Sequence, residues 1–242
     1  MSPRLLRAGL LVAFGLSVGV PAQSQSILYF SDYAYSSMTV PGALSGLGFS
    51  YTQATGVANF ATLLSGGSWD LVIFGEQNMA PASSVMTELT NYMAGGGKLL
   101  ATSWMSTPLV PFMQAVQMQT DQSPIYTDAH PIFAGLGPSI GLFNPGYGIW
   151  SQSYSPTGAA QCLGTLGSYC AGILGHGGRS LLLGPLFDAY ANQSQGEQFV
   201  AQSAQFLLGD QTVVPEPGTL LLLIPGLIGI GMVSRRRKED DA

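Results

Sequence analysis

The chain has 242 residues, of which 46% are hydrophobic and 9% charged, with a net charge of −5. Between Ser24 and Val214 the only basic residues are Lys98 and Arg179. So acidic a body excludes nucleic acid as a partner, because phosphate backbones are bound by clustered Lys and Arg. Two histidines far apart in sequence argue against a His-based metal site. No cofactor is implied: Gly175-His176-Gly177-Gly178 lacks the Lys-Ser/Thr ending and the following helix of a phosphate loop.

Residues 1–23 read as a secretory signal peptide. Arg4 and Arg7 precede an apolar stretch over 8–20, and Pro21-Ala22-Gln23-Ser24 supplies small residues for the cut. A signal anchor is the alternative, although the run is short for a membrane span. One exported domain is then expected over 24–209, roughly 190 residues and long enough for its own core.

Within it, 27–30 reads as a strand, and Pro41 opens a short helix over 41–47. A second strand follows at 49–53. Asn59 reads as the cap of a helix carrying Phe60, Leu63 and Leu64, which Gly66-Gly67 ends. The continuous apolar run 71–74 has the character of a strand buried on both faces of a parallel sheet. Val85, Met86, Leu89, Tyr92 and Met93 mark one side of a helix over 83–94. Gly95-Gly96-Gly97 stops that helix, and a strand over 98–102 follows. The alternation predicts an α/β domain, a mostly parallel sheet flanked by helices in a flavodoxin-like three-layer arrangement.

From 103 to 169 the sequence reads as loop. Cys162 and Cys170, an even and close pair in an exported chain, read as a disulfide worth roughly 2–3 kcal/mol. Metal ligation is the competing reading, poorly supported without a histidine cluster. Strands resume at 171–174 and 180–183. A last helix over 195–208 has Ser194 and Glu197 as a capping box, Gly209 as its stop, and a stripe of Phe199, Val200, Ser203, Phe206 and Leu207.

The tail is tripartite. Residues 210–217 form a linker ending in Val214-Pro215-Glu216-Pro217, whose prolines hold Val214 and Glu216 extended. Residues 218–234 are uncharged and close to the minimum of about 17 needed to cross a bilayer. Gly226, Gly229, Gly231 and Pro225 thin and kink this segment, which bilayer helices tolerate. Arg235, Arg236, Arg237 and Lys238 form a stop, so 235–242 is expected to be a cytoplasmic tail with the body outside. In this order the features resemble the PEP-CTERM sorting signal of Gram-negative bacteria. The resemblance implies an exosortase-type sorting enzyme and the membrane as partners, cleavage near the motif, and an exopolysaccharide-producing host. It also implies inner-membrane anchoring with a periplasmic body, then release to the surface or matrix. A plain C-terminal anchor is the competing reading.

The body resembles the class I glutamine amidotransferase-like, flavodoxin-like domains. The resemblance rests on Asp70-Leu71-Val72-Ile73-Phe74-Gly75, on Gly95-Gly96-Gly97-Lys98-Leu99-Leu100, on the stretch from His130 to Leu136, and on Gly178-Arg179-Ser180-Leu181-Leu182-Leu183-Gly184. Those enzymes use a cysteine on a strand-to-helix elbow with a His and an acid. Here the corresponding stretch is Ala101-Thr102-Ser103-Trp104-Met105, without Gly-x-Cys-x-Gly, so glutaminase activity is not implied.

Open parallel sheets bind ligands at the carboxyl ends of their strands. That rule nominates Ser31 and Asp32, Glu76 and Gln77, Ser103 and Trp104, then His176 and Asp188. Asp32, Glu76, Ser103 and His176 are the candidate catalytic groups, against the plainer readings of turn, cap and loop residues. Tyr126, Phe133, Phe143, Tyr147, Trp150 and Tyr154 are candidates for a sugar-stacking platform. The function expected is an exosortase-sorted surface or exopolysaccharide-matrix protein with a binding or scaffold domain. The alternative is an envelope hydrolase acting on a glycan or amide through carboxylates at the strand ends.

Overall fold

The computed structural model describes residues 25–32, 39–105, 107–120, 124–142 and 151–209. The expected signal peptide, the motif Val214-Pro215-Glu216-Pro217, the apolar segment 218–234 and the basic block Arg235, Arg236, Arg237 and Lys238 lie outside these residues. Among the described residues no helix is long and apolar enough to cross a membrane.

The first half follows the predicted alternation: β1 (Ile27–Ser31), α1 (Thr39–Gly46), β2 (Tyr51–Gln53), α2 (Val57–Gly66), β3 (Leu71–Glu76), α3 (Ala82–Ala94) and β4 (Leu99–Ser103). Every residue of β3 and β4 is buried, as their apolar runs require. Then come α4 (Leu109–Phe112), β5 (Ala115–Thr120), β6 (Ile125–Tyr126), a 3-10 turn (Pro131–Phe133), β7 (Ser139–Ile140), β8 (Gln152–Pro156), β9 (Gln161–Leu166), β10 (Tyr169–Gly175), β11 (Ser180–Leu183) and α5 (Gln193–Leu208).

The sheet runs β2-β1-β3-β4-β11-β10-β9-β6-β7, with β8 and β5 branching from β10. Strands β2, β1, β3, β4 and β11 are parallel. From β10 onward every pairing is antiparallel. The expectation of a mostly parallel sheet is therefore corrected to a mixed one. The antiparallel extension arises from the stretch that reads as loop. Its strands are short or polar: β6 and β7 have two residues each, and β5 reads Ala-Val-Gln-Met-Gln-Thr with a mostly exposed outer part. Such segments carry too little period-2 hydrophobicity to announce a strand.

Side chains alternate across β1 and β3 to fill two layers. Ile27, Tyr29, Leu71 and Ile73 pack against α1 and α5, and Leu28, Phe30, Val72 and Phe74 against α2, α3 and α4. Phe30, Phe60 and Phe74 meet with ring centroids 5.2–5.4 Å apart, which fixes α2 on the sheet.

Two helix starts differ from expectation. The cap of α2 is Gly56, and Asn59 lies inside the helix, its Oδ1 accepting from the backbone N–H and hydroxyl of Thr55. The cap of α5 is Asn192, whose Oδ1 accepts from Gln195 N–H at 3.2 Å. Glu197 is held instead by the Gln193 amide at 2.8 Å and lies over Gly42 of α1.

Cys162 and Cys170 form the expected disulfide, across the β9–β10 hairpin. The two basic residues of the body are committed to helix ends. Arg179 Nη1 donates to the carbonyl of Met93 in the last turn of α3 at 2.8 Å and to that of Gly97 just beyond it at 3.3 Å. Lys98 Nζ donates to Leu208 O of α5 at 2.9 Å. Both cations thus meet the negative end of a helix dipole. Arg179→Met is expected to lower unfolding free energy by about 1–2 kcal/mol. Urea denaturation checks this, and an unchanged midpoint contradicts it.

Candidate functional site

Because β1, β3, β4 and β11 are parallel, their carboxyl ends share one edge, and that edge carries most of the predicted residues. The strand order places β1 between β2 and β3. Its two neighbours are reached by helices on opposite faces, α1 on one side and α2 on the other. This is the topological switch point of an open α/β sheet, where the chain diverges and leaves a crevice.

Asp32 follows β1 at the crevice. Its Oδ1 accepts from Gln77 N–H at 2.6 Å, and its Oδ2 accepts from the N–H groups of Asn78 and Met79 at 2.9 and 2.6 Å. The carboxylate therefore fills a nest of three successive amides, which ties the end of β1 to the loop after β3. That loop is strained, with Ala80 at φ 49° and Met79 70% exposed.

Glu76 ends β3 and is fully buried. Its Oε1 accepts from Ala82 N–H at 3.1 Å, at the start of α3. Its Oε2 takes the hydroxyls of Ser103 at 2.7 Å and Thr107 at 2.6 Å. Burial pushes its carboxyl above the ordinary range. The Thr107, Ser103 and Ala82 hydrogen bonds oppose that shift, and Asp32 adds to it. Ser103, fully buried, also lies 2.9 Å from the Met105 carbonyl and accepts from Met105 N–H at 3.1 Å. The buried Tyr154 hydroxyl donates to Ser103 O at 3.0 Å. Burial raises the Tyr154 phenol, with Glu76 adding to it.

The structure thus brings Asp32, Glu76 and Ser103 to one place and separates His176 from them. His176 lies in the hairpin between β10 and β11. Ser180 at the start of β11 pairs with Leu99 at the start of β4, so this turn sits at the amino end of the parallel strands. There the His176 Nδ1 is 2.8 Å from Ser180 Oγ, and its ring packs against Phe112. Its φ of 50° belongs to the turn, followed by Gly177 and Gly178 at positive φ. Burial, with Arg179 nearby, holds its imidazole below the usual value. Asp188 follows β11, on the Ser103 side of the sheet.

Ser103 is not a nucleophile on an elbow. It has no positive φ, unlike the strained residue of a strand-to-helix nucleophile turn, and it is sealed from solvent. Neither cysteine is a thiol, since both are in the disulfide.

Two further participants, Thr107 and Gln152, carry no signal in the sequence, and Tyr154, expected as a sugar-stacking ring, takes part through its hydroxyl instead; all three lie in the stretch read as loop. Gln152 is 2% exposed and Gln77 7%. Gln77 Oε1 accepts from Ser31 Oγ at 3.0 Å, and Gln152 Nε2 donates to Trp104 O at 3.4 Å. The other amide atoms, Gln77 Nε2 and Gln152 Oε1, are buried without a hydrogen-bond partner. The backbone N–H of half-buried Trp104 donates to Glu76 O at 2.8 Å.

The three described members of the predicted sugar-stacking platform are not gathered on one face. Phe133 stacks on Phe199 on one face of the sheet, Tyr154 is buried on the other, and Tyr126 is exposed on β6. Phe143, Tyr147 and Trp150 lie outside the described residues. At the opposite edge, a groove of about 550 Å³ is lined by Trp69, Asp70, Glu88, Tyr92 and Lys98. Gly67 and Gly97 pack so closely on the Trp69 and Tyr92 rings that a Cβ there would lie 2.6 and 2.5 Å from ring atoms. One face of each ring is thereby covered. Among the described residues no group of three or more metal-ligating side chains occurs.

No family model matches the chain, and no curated protein is similar to it. Solved structures do share its fold. A cytoplasmic protein of Salmonella typhimurium LT2 is 12% identical, with 78% of this chain and 99% of that one covered at a TM-score of 0.51. A glutamine amidotransferase of Methylobacillus flagellatus is 10% identical, with coverage of 76% and 95% and a TM-score of 0.48. A glutamine amidotransferase of Thermotoga maritima is 10% identical, with coverage of 79% and 87% and a TM-score of 0.47.

The described domain thus shares its α/β fold with the Salmonella typhimurium LT2 protein, and at this identity the likeness is one of fold alone. The expected function and location are corrected. The Salmonella typhimurium LT2 structure, matched at a TM-score of 0.51, is of a protein named cytoplasmic, not of a surface or matrix protein. Among the described residues no helix is long and apolar enough to cross a membrane, and the expected span 218–234 lies outside them. The reading as an exosortase-sorted, inner-membrane-anchored surface protein is withdrawn. The envelope-hydrolase alternative goes with it, because His176 stands at the opposite end of the strands from Asp32 and Glu76.

Proposed function

We propose that the described domain binds a small molecule in the crevice at the carboxyl ends of β1, β3 and β4, and that it does not hydrolyse glutamine through a thiol. The observation that carries this reading is the switch point between β1 and β3, with Asp32, Gln77, Ser103 and Trp104 gathered at it. Asp32 and Glu76 shape the crevice: one pins the loop after β3, the other ties β3 to β4 and α3. The ligand contacts are then left to Gln77, Trp104 and Gln152.

Two assays test this. Ammonia release from L-glutamine, measured with and without reductant, is expected to stay at background; sustained thiol-dependent turnover contradicts the reading. A thermal-shift screen of small molecules is expected to yield compounds that raise Tm in the parent protein and lose that effect in Trp104→Ala. Hits that stabilise both proteins equally place the ligand elsewhere.

A further inference from the structure

The helices α2 and α3, side by side on one face of the sheet, end at the groove on the amino edge of the parallel strands. The groove measures about 550 Å³, and Trp69, Asp70, Glu88, Asn91, Tyr92 and Lys98 line it with the helix ends. That is room for one small molecule. Its aromatic walls are fixed in place. The Trp69 indole N–H donates to Leu63 O in the last turn of α2 at 2.9 Å. The Tyr92 hydroxyl lies 3.0 Å from Lys98 O and accepts from Lys98 N–H at 3.0 Å. Gly67 and Gly97 pack against the two rings. With their polar atoms committed to backbone, Trp69 and Tyr92 offer the groove rigid π surface.

The groove is also negative. Asp70 Oδ2 accepts from Ser26 N–H and Oγ, both at 2.8 Å, and these neutral donors leave its charge in place. Burial pushes the Tyr92 phenol up to about 12; the Lys98 backbone hydrogen bond opposes the shift and the Asp70 charge adds to it, which sets that carboxylate near the ring. Glu88 Oε2 has no hydrogen-bond partner. Neither α2 nor α3 carries a basic residue in its last turn, where a cation is favoured. Lys98 and Arg179 are engaged elsewhere. Lys98 Nζ donates to Leu208 O, and Arg179 donates to the Met93 and Gly97 carbonyls, which offsets the end of α3 but not that of α2. Two carboxylates are too few to cage a metal ion.

We propose that this groove binds a small organic cation, an alkylammonium ion whose charge is balanced by the Asp70 and Glu88 carboxylates and whose C–H groups lie against Trp69 and Tyr92. An ammonium group draws on carboxylate, ring quadrupole and helix C-terminus together, whereas an anion meets repulsion from all three. The site lies at the opposite edge from the carboxyl-end crevice and stands independently of it.

Saturation-transfer NMR titrations on the full chain test it. The probes are choline, its uncharged isostere with carbon in place of the quaternary nitrogen, glucose and inorganic phosphate. Choline is expected to bind about tenfold more tightly than the isostere, with affinity that falls as salt rises. Glu88→Gln and Asp70→Asn keep the size and remove the charge, and each is expected to weaken choline binding about three- to fivefold. Glu88→Gln suffices if Asp70→Asn fails to fold through its contact with Ser26. Trp104→Ala, at the crevice, is expected to leave choline binding unchanged. Equal binding of the isostere overturns the cation assignment. Choline binding that is unchanged in the folded charge variants, or lost in Trp104→Ala, overturns the site. Glucose or phosphate bound in preference to choline, or no choline binding, overturns the inference.

Discussion

Glu76→Ala is expected to cost about 3–5 kcal/mol of folding stability, because it removes the shared acceptor of three donors and leaves the space of a fully buried side chain empty. The donors are the Ala82 N–H and the hydroxyls of Ser103 and Thr107. Glu76→Gln is expected to behave differently. Its Oε1 still accepts from Ala82, and its amide donates towards Ser103 and Thr107, as a protonated carboxyl would. The pH dependence follows from the raised carboxyl. Below the ordinary glutamate value both folded and unfolded chains carry the proton, and its contribution to stability is complete. As pH rises, the unfolded chain ionises first, and stability is lost until the folded carboxyl titrates. The advantage of Glu76→Gln over the parent protein should therefore grow as pH rises from the ordinary glutamate range to the raised value of the folded carboxyl, and level off above it. Urea melts at several pH values read this difference directly. A flat difference means that the carboxyl is not held protonated.

The second large effect is expected at Gly184, just beyond β11. A Cβ there would overlap the Gln152 carbonyl oxygen and lie 2.9 Å from the Ala171 carbonyl oxygen. These are backbone atoms of the sheet, paired to Gly184 itself by Gln152 N–H to Gly184 O at 2.9 Å and Gly184 N–H to Ala171 O at 2.7 Å. No side chain can swing away to make room. Gly184→Ala is expected to destabilise by about 3 kcal/mol, at the upper end for overpacking. It should also push Gln152 out of the crevice. Guanidinium denaturation checks the first effect and ligand affinity the second; a variant with parental stability contradicts the close packing.

Much of the first half was legible because its signals are local. Gly95-Gly96-Gly97 ends α3, the apolar run at β3 is buried on both faces, and the strand ends carry Asp32, Glu76 and Ser103 as the carboxyl-end rule expects. His176 was misplaced for a reason no local pattern reveals. The end of a strand is a ligand-binding edge only if that strand runs with its neighbours, and β10 runs against β11. Thr107, Gln152 and the role of the Tyr154 hydroxyl were missed because the segments that present them are short, polar strands and turns fixed by long-range pairing. Glu76 and Ser103 were found, but as catalytic candidates. Their full burial and mutual hydrogen bonds make them a structural joint beneath the crevice instead. The caps went to Gly56 and Asn192 because helix starts are set within one or two residues by the preceding turn, not by composition.

Backbone-amide chemical-shift mapping with a mixture of small neutral compounds tests the central claim most directly. Shifts are predicted to gather at residues 31–32, 76–77, 103–104 and 152, the carboxyl ends of the parallel strands and the Gln152 arm. Shifts gathered instead around Trp69, Tyr92 and Lys98, or around His176, would place binding at the opposite edge of the sheet and contradict the account.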